Sequence, residues 1–212
     1  MKTLDLGGIT YLEPMENSED WRWGTDYTHG DLYEAEALFR DGYRIRGNRL
    51  VLVSYPDGEV FEPIAKRDGQ YFGKPAFYEN AIYLLYVDFP AETIVIARFD
   101  PATAQTQPFQ TLPLSVAADC YNLALDFSPM MLTREKQDLF QILWPERRDF
   151  RLEQGESFYC RDGEKLYFWK WFEDPDYREE LFVRDYESGA LLSHLRGSVQ
   201  RMPNGETWLL KS

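Results

Sequence analysis

Three groups of side chains in this sequence have the types and spacing to do chemistry. The first is Trp21-Arg22-Trp23-Gly24-Thr25-Asp26-Tyr27-Thr28-His29-Gly30-Asp31, with Glu34 close behind. Aromatic rings stack on the apolar faces of sugars, and carboxylates accept hydrogen bonds from sugar hydroxyls. Trp21, Trp23, Tyr27, His29 and Asp31 therefore have the make-up of a carbohydrate-binding surface. A plainer assignment puts Trp21 and Trp23 at the end of the core and Asp31 at a helix cap, and large aromatics are mostly core material. The second group is the acidic, aromatic stretch 172–180, which would expose Asp174, Asp176 and Tyr177 at a hairpin tip. Binding residues often sit on such tips, although a solvated turn is its ordinary role. The third is Cys120, in Asp119-Cys120-Tyr121-Asn122, a nucleophile only if folding brings His29 or His194 beside it. Free cysteine is more often a buried structural thiol.

Other chemistries fail on spacing. Gly69-Gln70-Tyr71-Phe72-Gly73-Lys74-Pro75 has three residues between its glycines, and Pro75 stands where a phosphate loop needs Ser or Thr. It reads as a tight turn between strands. Two histidines cannot build a multi-histidine zinc site, and Cys120 and Cys160 lie too far apart in sequence for a local metal motif. Asp174-Pro175-Asp176 lacks the later glycine and glutamate of a calcium loop. No Gly-x-Ser-x-Gly elbow is present. A glycosidase needs only two carboxylates roughly 5–10 Å apart, so a chain with 36 acids always contains candidates. No cofactor and no metal is expected, and the balance leans away from catalysis.

Composition narrows the partners. Aromatic residues make up 16% of the chain and charged residues 28%, a mixture that suits a soluble globule and not a disordered segment. The net charge of −13 makes nucleic acid a poor partner, because its binding rests on Lys and Arg neutralising phosphates. An anionic membrane is disfavoured on the same ground. No apolar run approaches the ~20 residues of a membrane span. The first residues lack a secretory h-region, and two cysteines are too few for a disulfide scaffold. A cytoplasmic, acidic bacterial protein is the expectation.

The elements that would position these residues are mostly strands. Four stretches, 47–55, 80–87, 138–144 and 163–172, open with aromatic and β-branched runs followed by a turn and a second run. The pairs include Leu50-Val51-Leu52-Val53 with a return through Asp57-Gly58, an Asp-Gly hairpin signal, and residues 166–172 with 180–186. Residues 9–12 form a possible first strand, and 190–195 and 207–210 plausible last ones. The helix signal lies at residues 31–41: Asp31 as N-cap, Glu34 three residues on, and Gly42 as the stop. Several runs are apolar at consecutive positions, which asks for sheets covered on both faces. Propeller blades meet that demand with antiparallel hairpins. At roughly 45 residues per blade the chain supplies about four to five small blades. The expected fold is therefore all-β, a propeller-like stack of antiparallel hairpins with one short helix, and a β-sandwich or open barrel is the alternative. The candidate breaks at 102–113 and 128–137 are short, so residues 1–212 read as a single domain.

Asp31-Leu32-Tyr33-Glu34-Ala35-Glu36, Gln70-Tyr71-Phe72-Gly73, Asp119-Cys120-Tyr121-Asn122-Leu123 and residues 173–180 resemble an uncharacterised family of Gram-positive, gut-type bacteria. The resemblance covers nearly the whole chain from Trp21 and implies no activity, catalytic residue or cofactor. Three roles remain. The first is a non-catalytic module binding a protein, a peptide or a carbohydrate. The second is a carboxylate-based hydrolase acting on carbohydrate. The third is a subunit that completes a sheet or propeller with a partner chain, its oligomeric state open.

Overall fold

The computed structural model describes residues 1–26, 32–45, 48–127, 129–174, 176–202 and 206–211. The chain divides into two compact units, Met1–Leu125 and Asp126–Ser212, with the boundary inside a strand.

The first unit begins with β1 (Glu13–Pro14), β2 (Trp21–Thr25), helix α1 (Leu32–Arg40), β3 (Leu50–Ser54) and β4 (Val60–Phe61). Its four strands form one antiparallel sheet in chain order. Residues 9–12 carry no strand; the opening strand is the two-residue β1, fixed by its pairing with β2. A second sheet follows from β5 (Gln70–Phe72), β6 (Ala76–Tyr78), β7 (Ala81–Asp88), β8 (Thr93–Asp100) and β9 (Gln105–Pro113). Its order is β5-β7-β8-β9, with β6 also against β7. Leu50 and Leu52 of the first sheet share a core with Ile82, Leu84, Val95, Ala97 and Phe99 of the second. The intervening side chains Val51, Val53, Leu85 and Val87 are buried as well, so these strands are covered on both faces, as their unbroken apolar runs require.

Helix α1 stops as its sequence indicates. Gly42 takes φ of +80°. Its N–H donates to Phe39 O at 3.0 Å and the Tyr43 N–H to Leu38 O at 2.8 Å, the paired bonds of a Schellman end. Ala35 and Leu32 are buried, and Phe39 stacks on Phe89 with centroids 5.2 Å apart.

The second unit has the same grammar. It comprises β10 (Ala124–Phe127), β11 (Met130–Lys136), β12 (Leu139–Trp144) and β13 (Arg148–Arg151) in one four-stranded sheet. Next come β14 (Ser157–Asp162), β15 (Lys165–Phe172), β16 (Arg178–Asp185) and β17 (Leu191–Arg196) in another. The hairpin β18 (Ser198–Arg201) and β19 (Thr207–Leu210) ends the chain. Met131, Phe140, Ile142 and Phe150 pack with Leu166, Phe168 and Phe182 in a single core. Phe140 stacks on Phe158 at 4.3 Å and meets Phe168 edge-on at 5.4 Å. Antiparallel sheets of four, five, four and four strands, a closing hairpin and, among the described residues, one α-helix make the fold all-β and propeller-like.

Both supposed breaks are strands. Residues 102–113 contain β9, whose polar, proline-bearing sequence has no apolar period but pairs along the whole of β8. Residues 128–137 contain β11, where Thr133 and Arg134 are buried yet satisfied: Thr133 donates to Asp126 at 2.5 Å and Arg134 to Gln141 at 2.8 Å. The run at 166–172 departs the other way. Leu166 and Phe168 are fully buried, but Trp171 is 49% exposed, so this end of its sheet is open on one face.

Candidate functional site

The sequence-based candidates separate cleanly. Trp21 and Trp23 are core residues, 9% and 2% exposed, Trp21 meeting the Phe61 ring at 5.7 Å. They have no ring face to offer a sugar. Tyr27, His29 and Asp31 lie outside the described residues. Asp174, Asp176 and Tyr177 stand exposed between β15 and β16, Tyr177 at 67%. The Tyr177 hydroxyl donates to Glu179 Oε1 at 2.7 Å, and that bond to a carboxylate raises its pKa. Cys120 is fully buried beside Glu36; burial first, and then the contact with that carboxylate, push its thiol well above the usual range. A thiol held protonated is no nucleophile.

Behind the tip, strand register gathers side chains far apart in sequence. Lys170 of β15 lies opposite Glu180 of β16, and Glu180 opposite Arg196 of β17. Phe172 opposes Arg178, and Phe182 opposes His194. Opposed residues share a face, as do residues two apart, so all of these project from one side of the sheet. Glu180 is the hub. Its Oε1 accepts from Arg178 Nε at 2.8 Å, and its Oε2 lies 2.6 Å from His194 Nε2. Arg178 above all, helped by His194, holds this carboxyl below its ordinary range. The His194 ring lies flat on Phe182 at 4.3 Å, and Arg178 and Lys170 sit 4.0 and 4.9 Å from the Phe172 centroid. Among the described residues the side chains of Lys170 and Arg196 make no ion pair or hydrogen bond. In a chain of net charge −13 this is a local excess of cations. The opposite face carries Trp171 and Leu195, both exposed.

No family model and no curated protein matches the chain. Solved structures do. A prolyl endopeptidase aligns over 93% of this chain and 30% of its own, with 10% identity and a TM-score of 0.53. Porphyromonas gingivalis dipeptidyl peptidase 4 aligns over 92% and 32%, at 12% identity and TM-score 0.46. TolB from Acinetobacter baumannii aligns over 78% and 45%, at 18% identity and TM-score 0.43. The likeness is one of fold. This chain spans less than half the length of each of those proteins.

A general acid needs a carboxyl held up near the working pH; Glu180 and Asp185 are both held down, Asp185 by its hydrogen bonds to Ser188. Among the described residues no three His, Cys, Asp or Glu side chains gather as a metal site needs. No helix there is long and apolar enough to cross a membrane. Sequence reading singled out the stretch 172–180, with Arg178 and Glu180 in it, but placed His194 only as a possible partner of Cys120 and did not bring in Lys170 or Arg196. Alternation within 165–172 and 178–185 could have paired Lys170 with Glu180. A register shift between Val183 and Arg184 hides the match to His194.

Proposed function

We propose that the protein is a non-catalytic binding or interaction module of propeller type, and that the open end of the sheet β14–β17 is its working surface. The carrying observation is Trp171, 49% exposed, on a sheet end whose other face presents Lys170 and Arg196, neither with an acidic partner among the described residues. Exposed tryptophan and arginine are enriched in recognition hot spots. A bacterial cytoplasm is part of the same proposal, in keeping with the acidic composition and the resemblance to a Gram-positive family. The test is a panel of generic ester, phosphate and glycoside substrates offered to the purified protein. No turnover above the buffer rate is expected; turnover abolished by Glu180→Gln would replace the binding reading with a carboxylate hydrolase.

A further inference from the structure

We propose that β17 is an acceptor edge, to which an extended acidic segment of a partner polypeptide pairs and adds a further strand to the last sheet. This deepens, and rests on, the reading of the protein as a binding module. The backbone comes first. Among the described residues β17 pairs with β16 alone and forms the edge of its sheet. The Gly197 N–H donates to Glu179 O at 2.8 Å. Alternation along an antiparallel ladder then turns the N–H groups of Arg196 and His194 to the free side. The bulge between Val183 and Arg184 falls at the start of β17 and leaves residues 193–196 in regular register.

Most other outer strands are shorter or interrupted. β1 and β4 have two residues, and β10, β13, β18 and β19 four. β14, the opposite edge of the same sheet, has six, but a bulge between Phe158 and Cys160 breaks its ladder. β9 is long but carries Pro108 and Pro113, which have no N–H to offer, and a bulge between Ile96 and Ala97 on its partner. Strand β17 has six residues and no proline, and Leu191, Leu192 and Leu195 are 47%, 53% and 39% exposed. An apolar edge of this kind invites pairing with another chain.

Charge selects the occupant. Leu191-Leu192-Ser193-His194-Leu195-Arg196 contains no acid, in a chain that has 36. His194 and Arg196 project on the same face as Lys170, and the one carboxylate in that row, Glu180, is already engaged by Arg178 and His194. Glu179 faces the other side and holds Tyr177, while Glu173, Asp174 and Asp176 lie beyond the Phe172–Arg178 pair. Screening over about 8 Å at physiological salt lets the neighbouring cations outweigh the distant net charge. The fitting strand sets acids opposite His194 and Arg196 and apolar side chains opposite Leu195. A second copy of β17 offers no acid and is excluded as the occupant.

The probe is a capped, fluorescein-labelled peptide of about ten residues, a long strand by ordinary measure, alternating glutamate and valine. Its counterpart has lysine for glutamate. Fluorescence anisotropy is expected to show binding of the glutamate peptide and at least ~10-fold weaker binding of the lysine peptide, an energy of about 1.4 kcal/mol. His194→Pro, which deletes an outward N–H, abolishes binding, whereas His194→Ala, which keeps that N–H and loses only the ring, weakens binding less than His194→Pro does. Arg196→Glu weakens binding about tenfold and serves alone if circular dichroism shows the proline variant unfolded. Failure of the wild type to bind, equal binding of the two peptides, or binding by a folded His194→Pro variant or by Arg196→Glu equal to that of the wild type would overturn the proposal. Any of these results without substrate turnover removes the acceptor edge and leaves the binding-module reading standing; turnover removes that reading itself.

Discussion

Arg184→Met removes the only ionic partner that the carboxylate of Glu156 has among the described residues. The Glu156 side chain is fully buried and that of Arg184 is 11% exposed. One guanidinium nitrogen spans both carboxylate oxygens, at 2.8 and 2.9 Å. Breaking a buried pair from one side costs about 3–5 kcal/mol, because the remaining charge stays desolvated and uncompensated. At roughly 2–4 °C per kcal/mol for a chain of this size, Tm falls by about 6–20 °C. Replacing both partners, Glu156→Leu with Arg184→Met, leaves no buried charge and is expected to return stability to within ~1 kcal/mol of wild type. The assay is urea unfolding followed by tryptophan fluorescence on the wild type, both single variants and the double variant. A coupling energy of at least about 2 kcal/mol should emerge from the cycle. A single variant within ~0.5 kcal/mol of wild type, or a double variant as unstable as the sum of the singles, would refute the reasoning.

Three further outcomes follow from particular residues. Gly197 holds φ of +130°, and a Cβ there would meet Leu210 O at 2.3 Å, so Gly197→Ala should cost about 2–3 kcal/mol. Hydrogen exchange should localise that loss to β18 and β19; unchanged protection there contradicts the close approach. Glu180 is held below its ordinary range by Arg178 and then His194, so its contribution to stability is present above the unfolded-state carboxylate pKa and lost as pH falls through the folded one. Wild type should therefore lose stability relative to Glu180→Gln on acidification below about pH 4, and a gain would be the wrong sign. Cys120 and Cys160 are free and buried, with the Cys120 thiol pushed up by burial. A thiol reagent at pH 8 should modify neither in the folded protein and both in denaturant; rapid labelling of Cys120 in the native state would contradict its burial.

The parts of the fold that are legible in the sequence are those held by local signals. Leu50–Ser54, Ala81–Asp88 and Leu139–Trp144 are apolar runs closed by turn residues, and they need no partner to be recognised. Helix α1 is flagged by Gly42 at its end, and that glycine does terminate it. The strands that escape notice are defined by what they pair with. Gln105–Pro113 is mostly exposed and becomes a strand because β8 supplies a ladder. Met130–Lys136 hides behind Thr133 and Arg134, whose polarity is answered across the sheet by Asp126 and Gln141. The site follows the same rule. Tyr177 and Asp174 are visible because they flank a turn. His194 reaches Glu180 from a different strand, through a register that a single bulge displaces. Trp21 and Trp23 show the converse, since a composition fit for sugars serves the core once β3 pairs against β2.

Native-state hydrogen exchange resolved to single amides bears most directly on the contrast between strands covered on both faces and the exposed edge strand β17. The account predicts that amides within β7, β8 and β12 exchange only through global unfolding, while those of His194 and Arg196 exchange orders of magnitude faster and slow when the acidic peptide is added. Protection of His194 and Arg196 equal to that of β8 in the free protein, or rapid exchange through β7 and β12, would contradict it.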